Sequence, residues 1–466
     1  MKTTAKIIRL PFLVILACIF SSCSNDDDNN MVTEDAMTIA EIASETDDLS
    51  SLVAALERAN LVSVLNGNDE FTVFAPTNAA FEAFLNGTPL ENVPVADLQQ
   101  ILLNHVIAGK NVASSLTTGY FNSESTAGVN GNKLSLYINT VSGVEINGIS
   151  SVIENGADIE ASNGIIHIVD AVIGLPNIVD FATTNDALTN LVAALTDEGS
   201  TVFTDLLASE GPFTVFAPSN DAFISFLNGI DLNAVDNALL ANLLANHVIT
   251  GAGLLSTDLS NGYTNTAAVN SDNDFLSLYV NIDEGVVLNG SSTVIIADIV
   301  ATNGIIHVID AVIDLPSVVT FAGADPTFDS LVEALTRGDQ PDFVSVLSGT
   351  TDAPFTVFAP VNDAFQALLD SNNDWNSLAD IDGTLLTSVL QHHVIANANI
   401  RAEDLSDGLT SPATLEGDAL LFNIGTDVTI TDGAGNTGIR VIATNVQATN
   451  GVIHAVDTVL IPDTMN

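Results

Sequence analysis

Histidines are the side chains in this 466-residue chain best suited to chemistry, and there are seven. Six fall into two sets. His105, His247 and His393 close apolar stretches that read LLNHVI, LLANHVI and VLQHHVI, while His167, His307 and His454 lie inside runs of Ile, Val and Ala. An imidazole beside thiolates, carboxylates or a second imidazole can hold zinc or move a proton. Here no cysteine or second histidine stands at ligand spacing, and the two sets lie 62 residues apart in the first copy. Each histidine therefore reads as a structural imidazole satisfied by its surroundings. Whether the two sets meet in space is left open. His392 directly precedes His393, but neighbours on a regular element point apart, so the pair is not a chelate. No metal, cofactor or catalytic residue is assigned.

Asp170, Asp310 and Asp457 are the charged residues of the same apolar runs. Carboxylate catalysis needs a second carboxylate at a defined separation, and none is recognisable. They read as buried carboxylates that tie down backbone N–H groups. No G-x-S-x-G, phosphate-binding loop or dinucleotide fingerprint is present, so an enzyme is not expected. Tyr120 matches Tyr263 and Tyr137 matches Tyr279 in position, which assigns them to the fold. Trp375, in the acidic loop Ser371–Asp380, has no counterpart and is the aromatic candidate for contact with a ligand.

The elements that carry these residues recur. FTVFAP occurs at Phe71–Pro76, Phe213–Pro218 and Phe355–Pro360, each 142 residues after the last. It predicts a strand buried on both faces, with Phe71 and Val73 on one side and Thr72 and Phe74 on the other. Proline ends it, because proline has no N–H for the ladder. Asn78, Asn220 and Asn362 then stand where a helix N-cap is expected. Apolar residues at helical spacing follow, such as Phe81, Phe84 and Leu85. Each copy closes on an Asn-Gly hairpin: ASNGIIHIVDAVI, ATNGIIHVIDAVI and ATNGVIHAVDTVL. The period is that of a domain rather than a solenoid repeat. The predicted domains are 37–177, 178–317 and 318–463, closely strung because no Gly/Ser-rich linker separates them.

The net charge is −49, with 9 basic against 58 acidic residues. That excludes nucleic acid and anionic membrane surfaces as charge-driven partners. Asp26–Asp28, Asp272–Asp274 and Asp380–Asp382 are polar stretches where carboxylates could share a divalent cation with an opposed surface, although no EF-hand spacing is present. Residues 1–22 read as a secretory signal: Lys2, Lys6 and Arg9 precede an apolar run, Leu10–Phe20, too short to span a membrane. Phe20-Ser21-Ser22-Cys23 is similar to a bacterial lipobox. That resemblance implies a lipid on Cys23, an acidic tether over 23–36 and attachment to the membrane through the anchor. Residues 24–30 resemble the export signal of surface lipoproteins in Bacteroidetes-type bacteria, which implies display on the outer face of the outer membrane.

The two boxes together, FTVFAP(T/S/V)N-x-AF and NG-(I/V)-IH-x-(V/I)-D-x-V, resemble the fasciclin domain family over nearly the whole mature chain. The resemblance implies an α+β fold of three tandem domains, each a β-sandwich wedge of mainly antiparallel strands with flanking helices. It also implies a non-enzymatic surface module of adhesion, whose ligand would be an extracellular protein or polysaccharide. A surface glycan-binding lipoprotein serving nutrient capture is the alternative. In animal fasciclin proteins a Tyr-His pair is associated with integrin binding. Asn104, Asn246 and His392 occupy the tyrosine's place here, so that recognition is not implied.

Overall fold

A strand with apolar or β-branched residues on both faces must be covered on both, and this requirement organises each domain. The computed structural model describes residues 36–196 and 201–463. Cys23 and the stretch Asp26–Asp28 lie outside them. In the first domain, helices α1 (Ile39–Glu45), α2 (Ser50–Arg58) and α3 (Val62–Leu65) precede strand β1 (Phe71–Pro76). Helices α4 (Asn78–Leu85) and α5 (Val95–Leu103) follow it. The chain then turns to β2 (Val106–Ala108), β3 (Gly119–Asn122), β4 (Ser135–Asn139), β5 (Glu145–Ile146), β6 (Ser150–Ser151), β7 (Ile159–Ala161) and β8 (Gly164–Val169). The other two domains repeat this order.

Strand β1 is central, antiparallel to β2 and parallel to β8 over six residues, with Phe71 opposite Gly164 and Phe74 opposite His167. The first domain has two sheets, ordered β2-β1-β8-β7 and β3-β4-β5-β6. In the second and third domains one longer strand, Ser292–Val300 or Ile439–Ala448, runs through both and joins them into seven strands. Register shifts along these strands mark where they bend from one sheet into the other. The class is the predicted α+β, and among the described strands of each domain one pair is parallel and the rest are antiparallel. Both faces of β1 are buried as expected. Phe71, Val73 and Ala75 enter the helix-side core, and Phe74 enters the sandwich core with Leu136, Ile138 and Ile173. Among the described residues no helix is long and apolar enough to cross a membrane.

Two local expectations are corrected. Thr77 and Ser219, not the asparagines, cap the helices after FTVFAP, and Val361 stands at the third cap without a side-chain bond. Asn78 is the first helical residue and serves a different helix. Its Oδ1 accepts from Ser51 N (2.7 Å), an orphan donor at the start of α2, and its Nδ2 donates to Asp47 O (2.9 Å). Asn220 and Asn362 repeat the clamp on Asn190 N with Asp186 O, and on Ser330 N with Pro326 O. The closing hairpin is present, but Ser162-Asn163 makes the turn and Gly164 begins the strand. A Cβ on Gly164 would collide with Phe71 O. Only glycine lets the two backbones meet there.

The asparagine of each hairpin ties three elements together. Asn163 is buried; its Oδ1 accepts from Ile39 N (2.9 Å) and its Nδ2 donates to Leu65 O (2.7 Å) and Gly67 O (3.0 Å). Asn303 and Asn450 make the same three bonds. Asn303→Ala would strand Ile178 N, Leu207 O and Ser209 O without partners. Removal of these bonds should destabilise the second domain by about 3 kcal/mol, read as a lowered midpoint in urea. A loss below about 0.5 kcal/mol would show that water replaces the amide.

Candidate functional site

The two histidine sets do not meet. His105 stands at the end of α5, where its Nδ1–H donates to Ile101 O (2.7 Å) and its Nε2 accepts from Ile173 N (2.8 Å). His247 and His393 repeat both bonds. Each ring pins the end of a helix to the chain that leaves β8 or its equivalent. Burial holds the pKa of His105 and His247 at about 4 and that of His393 at about 3, against the carbonyl bond that favours the charged ring. His167 stacks on Phe74 with ring centroids 5.7 Å apart. Its Nε2–H donates to Asn111 O (2.9 Å) and its Nδ1 accepts from Asp158 N (3.2 Å). His307 repeats this arrangement on Leu254 O and Asp298 N. His454 keeps only the carbonyl bond, to Ile400 O, and its Nδ1 has no partner among the described residues. These six are structural imidazoles.

The aspartates lie elsewhere than expected. Asp170 and Asp310 follow the last strand residue and are exposed, and Asp457 is half-buried. Just past the β8-type strand the chain reaches water, so these carboxylates are not in the core. They do tie down backbone: Asp170 accepts from Ser151 N (2.7 Å), Asp310 from Thr293 N (2.7 Å) and Asp457 from Arg440 N (2.9 Å). Trp375 is half-buried against the core of the third domain. Of the stretches named for cation sharing, the two among the described residues are already engaged. Asp380 Oδ2 accepts from Asn376 N and Ser377 N, and Asp382 caps the helix Gly383–His392. Asp272 and Asp274 accept from Asn399 Nδ2, and Asp274 also accepts from Arg401 Nη1 (2.9 Å).

Those last bonds belong to a junction. Tyr120 and Tyr137 pack with the core of the second domain, and Tyr263 and Tyr279 with that of the third. Tyr120 OH accepts from Asn185 Nδ2 (2.9 Å), whereas Tyr263 OH donates to Asp325 Oδ2 (3.0 Å). Burial raises the pKa of both phenols, and the Asp325 charge raises that of Tyr263 further. Ser135 Oγ accepts from Val300 N and Ser277 Oγ from Gln447 N, so one serine per junction satisfies a strand donor of the next domain. A cavity of about 420 Å³ opens at the second junction between Tyr263, Phe328, Val361 and Ile453. Asp325 faces it with both oxygens bonded, to Tyr263 OH and to the Thr327 N–H and hydroxyl.

One grouping was invisible in the sequence. His392, which replaces Asn104 and Asn246, comes together with Glu416 and Asp418, and the three ligand atoms lie within 4.8 Å of one another. As expected, His392 and His393 have separate partners. His392 Nε2 accepts from Gly433 N (3.1 Å), and Nδ1 lies 3.3 Å from Thr414 Oγ1. Burial lowers its pKa, against the pull of Glu416, Asp418 and Asp432.

Fold and sites define a modular protein of three repeated α+β domains, each buttressed by backbone-bound histidines and docked on the next through tyrosines. The fasciclin domain model matches residues 47–176, 186–316 and 326–462. The chain belongs to the fasciclin domain family. It is 25% identical to human periostin over 93% of its own length and 48% of periostin, so it spans about half of that relative. The transforming growth factor-beta-induced protein ig-h3 of Sus scrofa is 28% identical over 92% of this chain and 58% of its own. The Synechocystis protein sll1483 is 34% identical over 37% of this chain and 98% of its own. Among solved structures, the FAS1 domain pair of the insect cell adhesion molecule fasciclin I aligns at 24% identity and a TM-score of 0.40, covering 60% of this chain and 98% of that one.

The middle histidines make stability depend on pH. Their folded pKa values of about 4, 4 and 3 lie below the ordinary 6.5. As pH falls the unfolded chain takes up these protons first. Stability is therefore full above about pH 6.5 and declines toward pH 4, by up to about 1.4 kcal/mol per pH unit for each histidine. The urea midpoint should fall between pH 7 and pH 4.5, and should still fall in 1 M NaCl, where repulsion among surface carboxylates is screened. A flat profile would overturn the assignment.

Proposed function

We propose that this chain is a non-enzymatic adhesion protein anchored by a lipid on Cys23 and displayed at the outer membrane surface of a bacterium. The observation that carries the reading is the series of three fasciclin domains, joined by junctions that bury tyrosines. Fasciclin-domain proteins are generally non-enzymatic adhesion proteins, and periostin and ig-h3 align with more than nine-tenths of this chain. Both ring nitrogens of His105, His247, His393, His167 and His307 are bonded to backbone, which leaves these five no lone pair or proton to offer a substrate. The ligand on this reading is an extracellular protein or polysaccharide. Trp375, packed on the core, offers little flat surface to a sugar ring, which favours adhesion over glycan capture for nutrition.

The test uses cells that carry the native chain, cells that lack it and cells that carry Cys23→Ala. Native cells should attach to one another or to matrix more than null cells. Cys23→Ala should release the protein into the soluble fraction and bring attachment down to the null level. Attachment equal in native and null cells would refute adhesion. Cys23→Ala protein that still pellets with membranes would refute the anchor, and domains that resist protease on intact cells would refute surface display.

A further inference from the structure

We propose that the third domain holds a divalent transition-metal ion between the His392 imidazole and the Glu416 and Asp418 carboxylates. This site is independent of the adhesion reading. The three ligand atoms are gathered within 4.8 Å, and His392 Nδ1 lies 3.8 Å from Glu416 Oε2. That spacing needs only a small contraction to close around an ion with bonds of about 2 Å. His392 is fully buried, Glu416 and Asp418 are partly buried, and a fourth carboxylate, buried Asp432, adjoins them.

The other two domains act as internal controls. At the place of His392 they have Asn104 and Asn246, whose amides donate to the Gly174 and Asp314 carbonyls. Strand pairing aligns Thr414 with Ser123, which sets Glu416 opposite Ser125 in the first domain and Ala268 in the second. The turn that supplies Asp432 is also longer here. Seven residues, Asp432–Gly438, connect strands that Asn147–Ile149 and Asn289–Ser291 connect elsewhere with three. Two substitutions and one insertion thus converge on a single spot.

The tautomer states what binding requires. Nε2 accepts from Gly433 N–H, so the neutral ring carries its proton on Nδ1, toward Thr414 Oγ1 and Glu416. A metal on Nδ1 moves that proton to Nε2 without changing the ring's charge, and Nε2–H then needs an acceptor. Turning over the Asp432–Gly433 peptide removes the N–H and presents the Asp432 carbonyl. Binding is therefore coupled to the loop 432–438 and to the chain end fastened beside it, since Asp418 Oδ2 accepts from Asp463 N (2.7 Å) and Asp432 Oδ2 from Ile461 N (2.9 Å). One nitrogen and two carboxylates suit zinc, cobalt or manganese, whereas calcium and magnesium take oxygen ligands alone.

The experiment titrates the full chain, without a histidine tag, with ZnCl2 by calorimetry in millimolar CaCl2, which occupies exposed carboxylates. One zinc per chain is expected. Affinity should fall at least tenfold in His392→Asn and in Glu416→Ser, substitutions to residues the first domain already uses. Circular dichroism and urea midpoints without metal verify that both variants fold, and either one alone suffices for the test. Absence of a stoichiometric zinc in the native chain overturns the site, as does a zinc retained at native affinity in a folded variant.

Discussion

The parallel pairing of β1 with β8 is the contact that the rest of each domain presupposes. These strands come from opposite ends of the domain, yet six residues of one face six of the other, and both lie in the core. A parallel pair cannot close through a tight turn, so the chain between must form a crossover, here the helices and the second sheet. The pairing is possible because Gly164 leaves room for the Phe71 carbonyl. It is held in register by Asn163, which reaches from the hairpin to α1 and to the end of α3. Stacking of His167 on Phe74, directly opposite in that register, then links the ladder to the sandwich side.

The junctions apply the same economy of partners to a larger scale. A strand that leaves a domain carries N–H groups that must be satisfied. Val300 N and Gln447 N find theirs in serine hydroxyls of the preceding domain. Tyrosine suits such a boundary because its ring can enter the neighbouring core while its hydroxyl finds a polar partner. Tyr120 and Tyr263 do this against Phe181 and Phe321, edge to face. The tyrosines that the sequence assigned to the fold thus serve the contact between folds.

Much of this was legible in the residues because it rests on periodicity. A strand buried on both faces, a proline that ends it and a repeat of constant length are local properties, and the α+β class came with the family resemblance that these repeated residues carry. What was not legible involves side chains that act far along the chain. Asn78 looks like the cap of its own helix, but an amide at the first helical position points toward α2, and Thr77 is better placed to cap. Asn163 looks like half of an Asn-Gly turn, while its amide bonds residues about one hundred positions away. Asp170 sits in an apolar run, yet one step past the strand end is enough to reach water. His392 was read only against its neighbour His393, but strands brought carboxylates to it from 24 and 26 positions further on.

Three copies of one fold also separate what the fold requires from what a single domain has added. The hairpin asparagine, the middle histidine and the FTVFAP threonine recur with the same bonds, so geometry alone explains them. The position that meets the tyrosine at each junction behaves differently. Asn185 donates to Tyr120, while Asp325 can only accept and obliges Tyr263 to donate. The second junction therefore holds a phenol that must keep its proton beside a buried carboxylate, and burial and that charge both act to keep it there. A neutral amide would serve the packing equally well, as the first junction shows. Asp325 is instead fixed by the Thr327 N–H and hydroxyl, so the same carboxylate starts a helical turn of the third domain and orients the tyrosine of the second. The docking of one domain is in this way tied to the local folding of the next, a coupling that Asn185 makes through its own bond to Ala187 N without placing a charge in the interface.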